Sequence, residues 1–100
     1  MNKAVKLFSM LGFAQKGNKL VSGESAVKAM FNKGQIYLLI LAEDLGDNRK
    51  RFWMDVAGGK NVPVIIQGKK NQLGVAVGLS PRSILGITDQ KMAEAVVKMQ

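Results

Sequence analysis

The chain has 100 residues, which suffice for one compact domain and are too few for two. It contains neither cysteine nor histidine, so a disulfide framework is excluded and we expect no metal site and no cofactor. Fifteen Lys and Arg residues against seven Asp and Glu residues give a formal net charge of +8. A polyanionic partner is expected, because each phosphate that a protein neutralises releases condensed counterions.

The positive charge is unevenly distributed along the chain. Residues 1–35 carry a net charge of +5, residues 36–48 carry −3 and residues 49–82 carry +6. This distribution predicts a basic patch rather than a uniformly basic surface. The apolar runs are too short for a membrane span and the N-terminal segment lacks signal-peptide features. We therefore expect a cytoplasmic protein that does not contact membranes.

The first elements in the chain are a predicted helix, a short strand and a second helix. Apolar residues recur at helical spacing over residues 3–16, and Gly17 can end that helix. Residues 19–22 are predicted to form a strand, and its last residue, Ser22, can cap the second helix.

The middle of the chain contains the strongest strand signal. Residues 36–42 are apolar without polar alternation, which predicts a central strand buried on both faces. Asp47 can cap a third helix whose apolar residues include Phe52 and Trp53. These two neighbours cannot face the core equally well, although we expect most aromatic residues to lie there.

The last part of the chain repeats the alternation of strands and helices. Residues 62–66 predict a strand, residues 69–77 a short helix and residues 83–87 a further strand, before Thr88 or Asp89 caps the last helix. Alternating elements with wholly apolar strands predict a single α/β domain over residues 1–100, a three-layer α-β-α sandwich. Its central sheet is expected to be mixed, with about four strands.

No arrangement of residues in the sequence predicts catalysis. A phosphate-binding loop could begin at Gly12 and include Gly17, but Asn18 occupies the position of the required lysine. Glu43 and Asp44 are adjacent carboxylates that are better suited to a turn or cap than to paired acid–base chemistry. We therefore expect no enzymatic activity and no catalytic residues.

The segment that leads into the second helix has features suited to a phosphate backbone. Lys16 and Lys19 flank a turn, and the unpaired amides at a helix start favour an anion. Gly23, without a side chain, permits close approach to that helix start. The alternative is that no ligand binds here: the Ser22 side chain accepts hydrogen bonds from these amides, and the negative charge of Glu24 interacts favourably with the helix dipole. The local residues leave both interpretations open.

Four segments in register carry a resemblance to a known family. They are Lys-Leu-Val-Ser-Gly at 19–23, Leu-Ala-Glu-Asp at 41–44, Val-Pro-Val at 62–64, and Leu73-Gly74 leading to Gly78. Over roughly residues 3–99 the chain resembles the L-seven-Ae/L-thirty-e ribosomal proteins, most closely their short bacterial YlxQ-like branch. The resemblance implies an α-β-α sandwich that binds kink-turns, which are sharply bent internal loops of RNA.

The resemblance also implies which residues contact the RNA. In the family, polar residues after a glycine contact sheared G·A pairs, and basic residues contact the flanking phosphates. The matching residues here are Gly23, Glu24 and Ser25 at the base pairs. For the flanking phosphates we expect Lys16 and Lys19, from the local features described above, together with Lys28. In the loop before the last strand, Leu79 and Pro81 would contact an extruded nucleotide and Arg82 a phosphate or a base face.

Two positions depart from the family pattern. Ala26 stands where the family has a polar residue, and Ala29 stands where it has a basic one. Lys28 lies one residue before Ala29, about 100° around the helix. The leading hypothesis is a monomeric, ribosome-associated protein that binds a kink-turn in ribosomal RNA or a regulatory leader. The alternative, which these alanines favour, is a protein-interaction or assembly module of the same fold with a weakened RNA site.

Overall fold

The computed structural model describes residues 2–100, which form five helices and four strands. In chain order they are α1 (Lys3–Lys16), β1 (Leu20–Ser22), α2 (Glu24–Asn32), β2 (Leu38–Leu41), α3 (Asp47–Gly59), β3 (Val64–Ile66), α4 (Lys70–Ala76), β4 (Ile84–Ile87) and α5 (Gln90–Lys98). Within the described residues, no helix is both long enough and apolar enough to cross a membrane.

The first and last helices begin at side-chain caps. The Asn2 side chain accepts a hydrogen bond from the Val5 amide at 2.8 Å, and Asp89 accepts one from the Met92 amide at 2.9 Å. Each cap satisfies one of the amides that a helix start leaves unpaired. Of the two residues predicted to cap the last helix, Asp89 is therefore the one that does so.

The four strands form one mixed sheet in the order β1-β4-β2-β3. Strand β4 is antiparallel to both β1 and β2, whereas β2 and β3 are parallel. The register pairs Ser22 with Leu85, and Leu41 with both Ile84 and Ile66. The predicted mixed, four-stranded sheet is confirmed.

The core lies on both faces of this sheet. All residues of β2 are fully buried, as predicted for the central strand, and burial of each such side chain contributes about 1.5–3 kcal/mol. Helices α1, α4 and α5 cover one face, and α2 and α3 cover the other. The predicted three-layer α-β-α sandwich is confirmed.

The sheet has two ends that carry different connections. Strands β1, β2 and β3 finish at one end, where β4 starts; this end carries Gly23 and is called the Gly23 edge. The opposite end, where β1, β2 and β3 start, is called the Lys19 edge. Open α/β sheets commonly bind ligands outside the carboxyl ends of their parallel strands, which here is the Gly23 edge.

Two predicted caps are wrong. The N-cap residues of α2 and α3 are Gly23 and Gly46, and neither makes a side-chain hydrogen bond. Ser22 still belongs to β1, and its hydroxyl is turned toward Arg82. Asp47 is already the first residue of α3, so its carboxylate can favour the helix dipole but does not precede the helix.

The aromatic residues divide between core and surface. Trp53 is 1% exposed and packs edge-to-face against Phe31, with ring centroids 6.0 Å apart. Its neighbour Phe52 is 39% exposed, because adjacent helical residues point about 100° apart. Phe13 and Tyr37 are also exposed, so the expectation that most aromatic residues lie in the core is wrong for three of the six.

Candidate nucleic-acid interface

The junction between β1 and α2 depends on the conformation of Gly23. Its backbone has φ 91° and ψ 150°, a region that is essentially restricted to glycine. The Gly23 amide donates a hydrogen bond to the Ile84 carbonyl at 2.9 Å, which fixes the junction against the start of β4. Apart from Gly23 and its two chain neighbours, no atom lies within 4 Å of the position that a Cβ would occupy. Gly23 therefore provides both the required backbone turn and an open approach to the start of α2.

Arg82 joins this junction to the loop before β4. Its Nε donates a hydrogen bond to the Ser22 hydroxyl at 3.3 Å across 60 positions of sequence. Its Nη1 donates to the Ser80 hydroxyl at 2.6 Å and to the Pro81 carbonyl at 3.1 Å. Among residues 2–100, Nη2 has no hydrogen-bond partner, so two N–H donors remain for a ligand. The two segments predicted to contact RNA are therefore adjacent in the structure.

The loop before β4 presents an apolar surface beside Arg82. Leu79 and Pro81 are both exposed. The loop rests on Gly74 of α4, where a methyl group would overlap the Ser80 carbonyl. The buried glycine thus lets this loop pack closely on α4.

Glu24 is held by two residues of α3. Its Oε1 accepts hydrogen bonds from Arg49 Nε at 3.0 Å and Trp53 Nε1 at 3.3 Å, and its Oε2 accepts one from Arg49 Nη2 at 2.6 Å. The Arg49 guanidinium holds the pKa of the Glu24 carboxyl below its usual value. A carboxylate has about four acceptor positions, and the one that remains is on Oε2.

Arg49, Phe52 and Trp53 are part of this edge, although sequence reasoning did not assign them to it. The Arg49 guanidinium lies 4.6 Å from the centroid of the exposed Phe52 ring, a cation–π distance. A basic run followed directly by two aromatic residues, at positions 49–53, is the signal that the sequence offered. Nothing in its spacing indicated that Arg49 would pair with Glu24.

Ser25 and Lys28 lie on the exposed surface of α2. Lys28 is one turn beyond Glu24 and its charge contributes to lowering the pKa of that carboxyl. Ala26 and Ala29 are exposed on the same helix, so the two departures from the family pattern are at the surface and not in the core.

Lys16 and Lys19 do not lie beside the residues described above. Strand β1 runs from Leu20 to Ser22, and at about 3.3 Å per residue Lys19 is roughly 13 Å from Gly23. The Lys19 carbonyl accepts a hydrogen bond from the Thr88 amide, just beyond the end of β4. These two lysines therefore belong to the Lys19 edge, and the structure brings together only the other predicted contacts.

The adjacent carboxylates of Glu43 and Asp44 have structural roles. Glu43 Oε2 accepts a hydrogen bond from the Gly68 amide at 2.7 Å, and Asp44 Oδ1 accepts one from the Lys70 amide at 2.9 Å. These bonds join the β2–α3 loop to the start of α4, in agreement with the predicted capping role. The part of the chain that the structure describes contains no group of residues that could hold a metal ion.

The connections of the Gly23 edge carry more bases than acids. Glu24, Glu43 and Asp44 are engaged by the contacts above and Asp47 lies in the first turn of α3. The bases on the elements and loops of this edge are Lys28, Arg49, Lys50, Arg51, Lys69, Lys70 and Arg82. The excess of positive charge is suited to a polyanion.

The structure is a mixed-sheet α-β-α sandwich whose second helix begins at a glycine. A short loop precedes the last strand, and basic residues lie on the sheet edge that carries both segments. Together these features define a class of small ribosomal-protein-like domains. The chain belongs to the ribosomal protein L7Ae/L30e/S12e/Gadd45 family, whose model matches residues 5–97. The family resemblance carried by the four sequence segments is thereby confirmed.

Relatives of known name support the assignment to the bacterial branch. The chain is 28% identical over 92 residues to the RNA-binding protein YlxQ of Bacillus subtilis, covering 92% of each chain. It is 25% identical over 89 residues to the RNA-binding protein YlxQ of Enterococcus faecium, covering 89% of this chain and 85% of that one.

Solved structures have the same fold. A Bacillus halodurans protein of unknown function superposes with a TM-score of 0.89 at 31% identity, covering 94% of this chain and 95% of that one. The 15.5 kD RNA binding protein of Giardia lamblia superposes with a TM-score of 0.82 at 22% identity, covering 97% and 83%. The latter likeness concerns the fold alone.

Proposed function

We propose that this protein binds structured RNA at the Gly23 edge and recognises a kink-turn or a similarly bent internal loop. The observation that carries the proposal is the hydrogen bond between Arg82 and Ser22. It joins the β1–α2 junction to the loop before β4, the two segments for which the family resemblance implies RNA contacts. Family membership and the names of the YlxQ relatives support RNA as the ligand.

Each part of the edge has a role in this proposal. The open backbone at Gly23, with Glu24 and Ser25 beside it, contacts the base pairs at the bend, where Glu24 accepts a hydrogen bond through its remaining Oε2 position. Leu79 and Pro81 pack against an extruded nucleotide, since single-stranded and bulged bases offer apolar faces. Lys28 and the two unpaired N–H groups of Arg82 contact phosphates on either side of the bend.

In this proposal Lys28 and Arg82 make the phosphate contacts, because Ala29 cannot supply the basic contact of the family pattern and Ala26 supplies no polar contact to the base pairs. Lys16 and Lys19 contact the RNA only where its backbone extends past the sandwich to the Lys19 edge. The protein acts as a monomer in the cytoplasm, in association with the ribosome, and by binding without catalysis.

The proposal is tested by titrating the protein with a kink-turn RNA and with a duplex of matched length that lacks the bend. Calorimetry in magnesium at several salt concentrations yields both the affinity and the slope of log K against log salt. We expect tighter binding to the kink-turn. Arg82→Gln and Lys28→Gln should each reduce the magnitude of the slope by about one.

Lys98→Gln is the matched control, because it removes the same charge from α5, away from the Gly23 edge. It should change the slope less than either of the other two variants. Two results together would refute the proposed site: equal affinity of the protein for both RNAs, and equal slopes for all three variants. They would show that only unspecific electrostatic binding occurs.

A further inference from the structure

A groove of about 590 Å³ lies at the Lys19 edge, at the opposite end of the sheet from the proposed RNA site. It is bordered by the end of α2, the start of β2, the loop before β3 and one side of α5. Pockets that bind ligands commonly have volumes of roughly 300–1,000 Å³. The groove is therefore large enough for a site, and the proposed RNA contacts do not occupy it.

The walls of the groove are mainly apolar. Ile36, Val62 and Pro63 line it at the starts of two strands, and Tyr37 and Val97 line it while remaining 36% and 40% exposed. The lining residues of α5 recur at positions 90, 93, 94, 97 and 98, the spacing of one helical face. Within residues 2–100, nothing covers this face of α5 where it borders the groove.

Two lysines give the groove its charge preference. Lys60 and Lys98 line it, and among the described residues neither has a carboxylate within 4.0 Å, whereas Arg49 does. Glu94 is the one acid among the lining residues of the described chain, so the two lysines leave the lining with a net charge of +1. A ligand with carboxylates on either side of apolar groups would complement both the lysines and the walls.

The aromatic surface of the groove is poorly suited to stacking nucleobases. The Phe31 ring is 3% exposed, with the Trp53 ring edge-to-face against it and Lys60 Nζ 5.3 Å from its centroid. Binding of single strands relies on several exposed aromatic faces, whereas Tyr37 is the one partly exposed aromatic ring among the lining residues of the described chain. The other lining side chains are aliphatic or polar. Branched side chains of a peptide fit such walls better than planar bases do.

We propose that this groove binds an acidic, amphipathic segment of a partner protein, which lies along α5 between Lys60 and Lys98. Two turns of helix, about 11 Å long, match the stretch of α5 from Gln90 to Lys98. Because the groove and the Gly23 edge are at opposite ends of the sheet, both can be occupied together. The protein would then connect an RNA to a protein partner.

The test is selection from a displayed library of random peptides of about 12 residues, long enough for three helical turns. Selection is run in parallel on the wild-type chain, on Val97→Glu and on the double variant Lys60→Glu/Lys98→Glu. All three positions are exposed, and a circular dichroism melt of each variant verifies folding. We expect the wild type to enrich acidic peptides with apolar residues at helical spacing.

The charge-reversed variant should enrich basic peptides instead. Val97→Glu should weaken the best wild-type peptide about tenfold, equivalent to about 1.4 kcal/mol, without changing kink-turn affinity. The proposal would be overturned by any of three results. The peptides selected on the wild-type chain are not acidic, their affinity is unchanged by Val97→Glu, or no peptide is enriched. Binding of an eight-residue oligouridylate that is lost in Val97→Glu would instead assign the groove to single-stranded RNA. Kink-turn titrations report separately on the Gly23 edge, so either proposal can fail alone.

Discussion

Replacement of Gly23 by alanine tests whether the backbone of the β1–α2 junction is as constrained as its geometry indicates. Gly23 and Gly46 are both N-cap residues without a side-chain hydrogen bond, and both have open space around the position of a Cβ. They differ in the backbone: φ is 91° at Gly23 and −55° at Gly46. Gly46→Ala is therefore a matched control for Gly23→Ala.

The expected difference follows from that one angle. An alanine held at the φ and ψ of Gly23 is strained by about 1–3 kcal/mol. The lower preference of N-cap positions for alanine than for glycine affects both variants and cancels in the comparison. No clash contributes at either position, since no atom lies within 4 Å. Gly23→Ala should therefore lower the free energy of unfolding by about 1–3 kcal/mol more than Gly46→Ala does.

Urea unfolding followed by circular dichroism measures this difference, and in a domain of this size each kcal/mol also lowers Tm by about 4–8 °C. Equal stability of the two variants would refute the reasoning, because it would mean that the junction accepts an ordinary backbone conformation. In conditions where both variants are folded, a selective loss of kink-turn affinity in Gly23→Ala would indicate that the open approach also matters for binding.

Three further perturbations test other contacts. A double-mutant cycle of Glu24→Gln and Arg49→Gln should give a coupling of about 0.2–1 kcal/mol at pH 7, measured by urea unfolding. The pKa of Glu24 is lowered in the folded state, so the stabilisation by the ion pair is complete above the unfolded-state pKa of Glu24. It should disappear as the pH falls through the folded-state pKa. A coupling energy that does not change with pH would contradict the ion pair. Gly74→Ala should destabilise the protein by about 1–3 kcal/mol, because the added methyl group overlaps the loop before β4. The control Gly58→Ala should not destabilise it, since Gly58 lies in a helix with open space around it. Equal melting temperatures of the two variants would exclude the overlap. Lys16→Gln should leave the salt dependence of binding to a short kink-turn unchanged, and a slope reduced by about one would instead place RNA at the Lys19 edge.

The sequence by itself determined the features that depend on local spacing. The 3.6-residue period of α1 predicted a helix with the bounds that the structure has, and the uninterrupted apolar run 36–42 predicted a strand, of which β2 comprises Leu38–Leu41. These patterns are readable because a helix or a buried strand must repeat its apolar residues at its own geometric period. The four segments in register likewise indicated the family before the fold was known.

The rotation of a helix against the sheet was decided only by the tertiary structure. Phe52 and Trp53 are adjacent and both apolar, so composition did not distinguish which of them would enter the core. Ser22 was a suitable cap by residue type, but the register of β1 with β4 retained it in the strand. Local preference in each case gave way to the packing of neighbouring elements.

The composition of the candidate interface was also decided by the tertiary structure. Glu24 meets Arg49 across 25 positions of sequence, and Ser22 meets Arg82 across 60. Lys19 is close to Gly23 in sequence but lies at the other end of β1. The physical reason is that an extended strand separates its ends by about 3.3 Å per residue, whereas strand order brings distant loops to the same edge of the sheet.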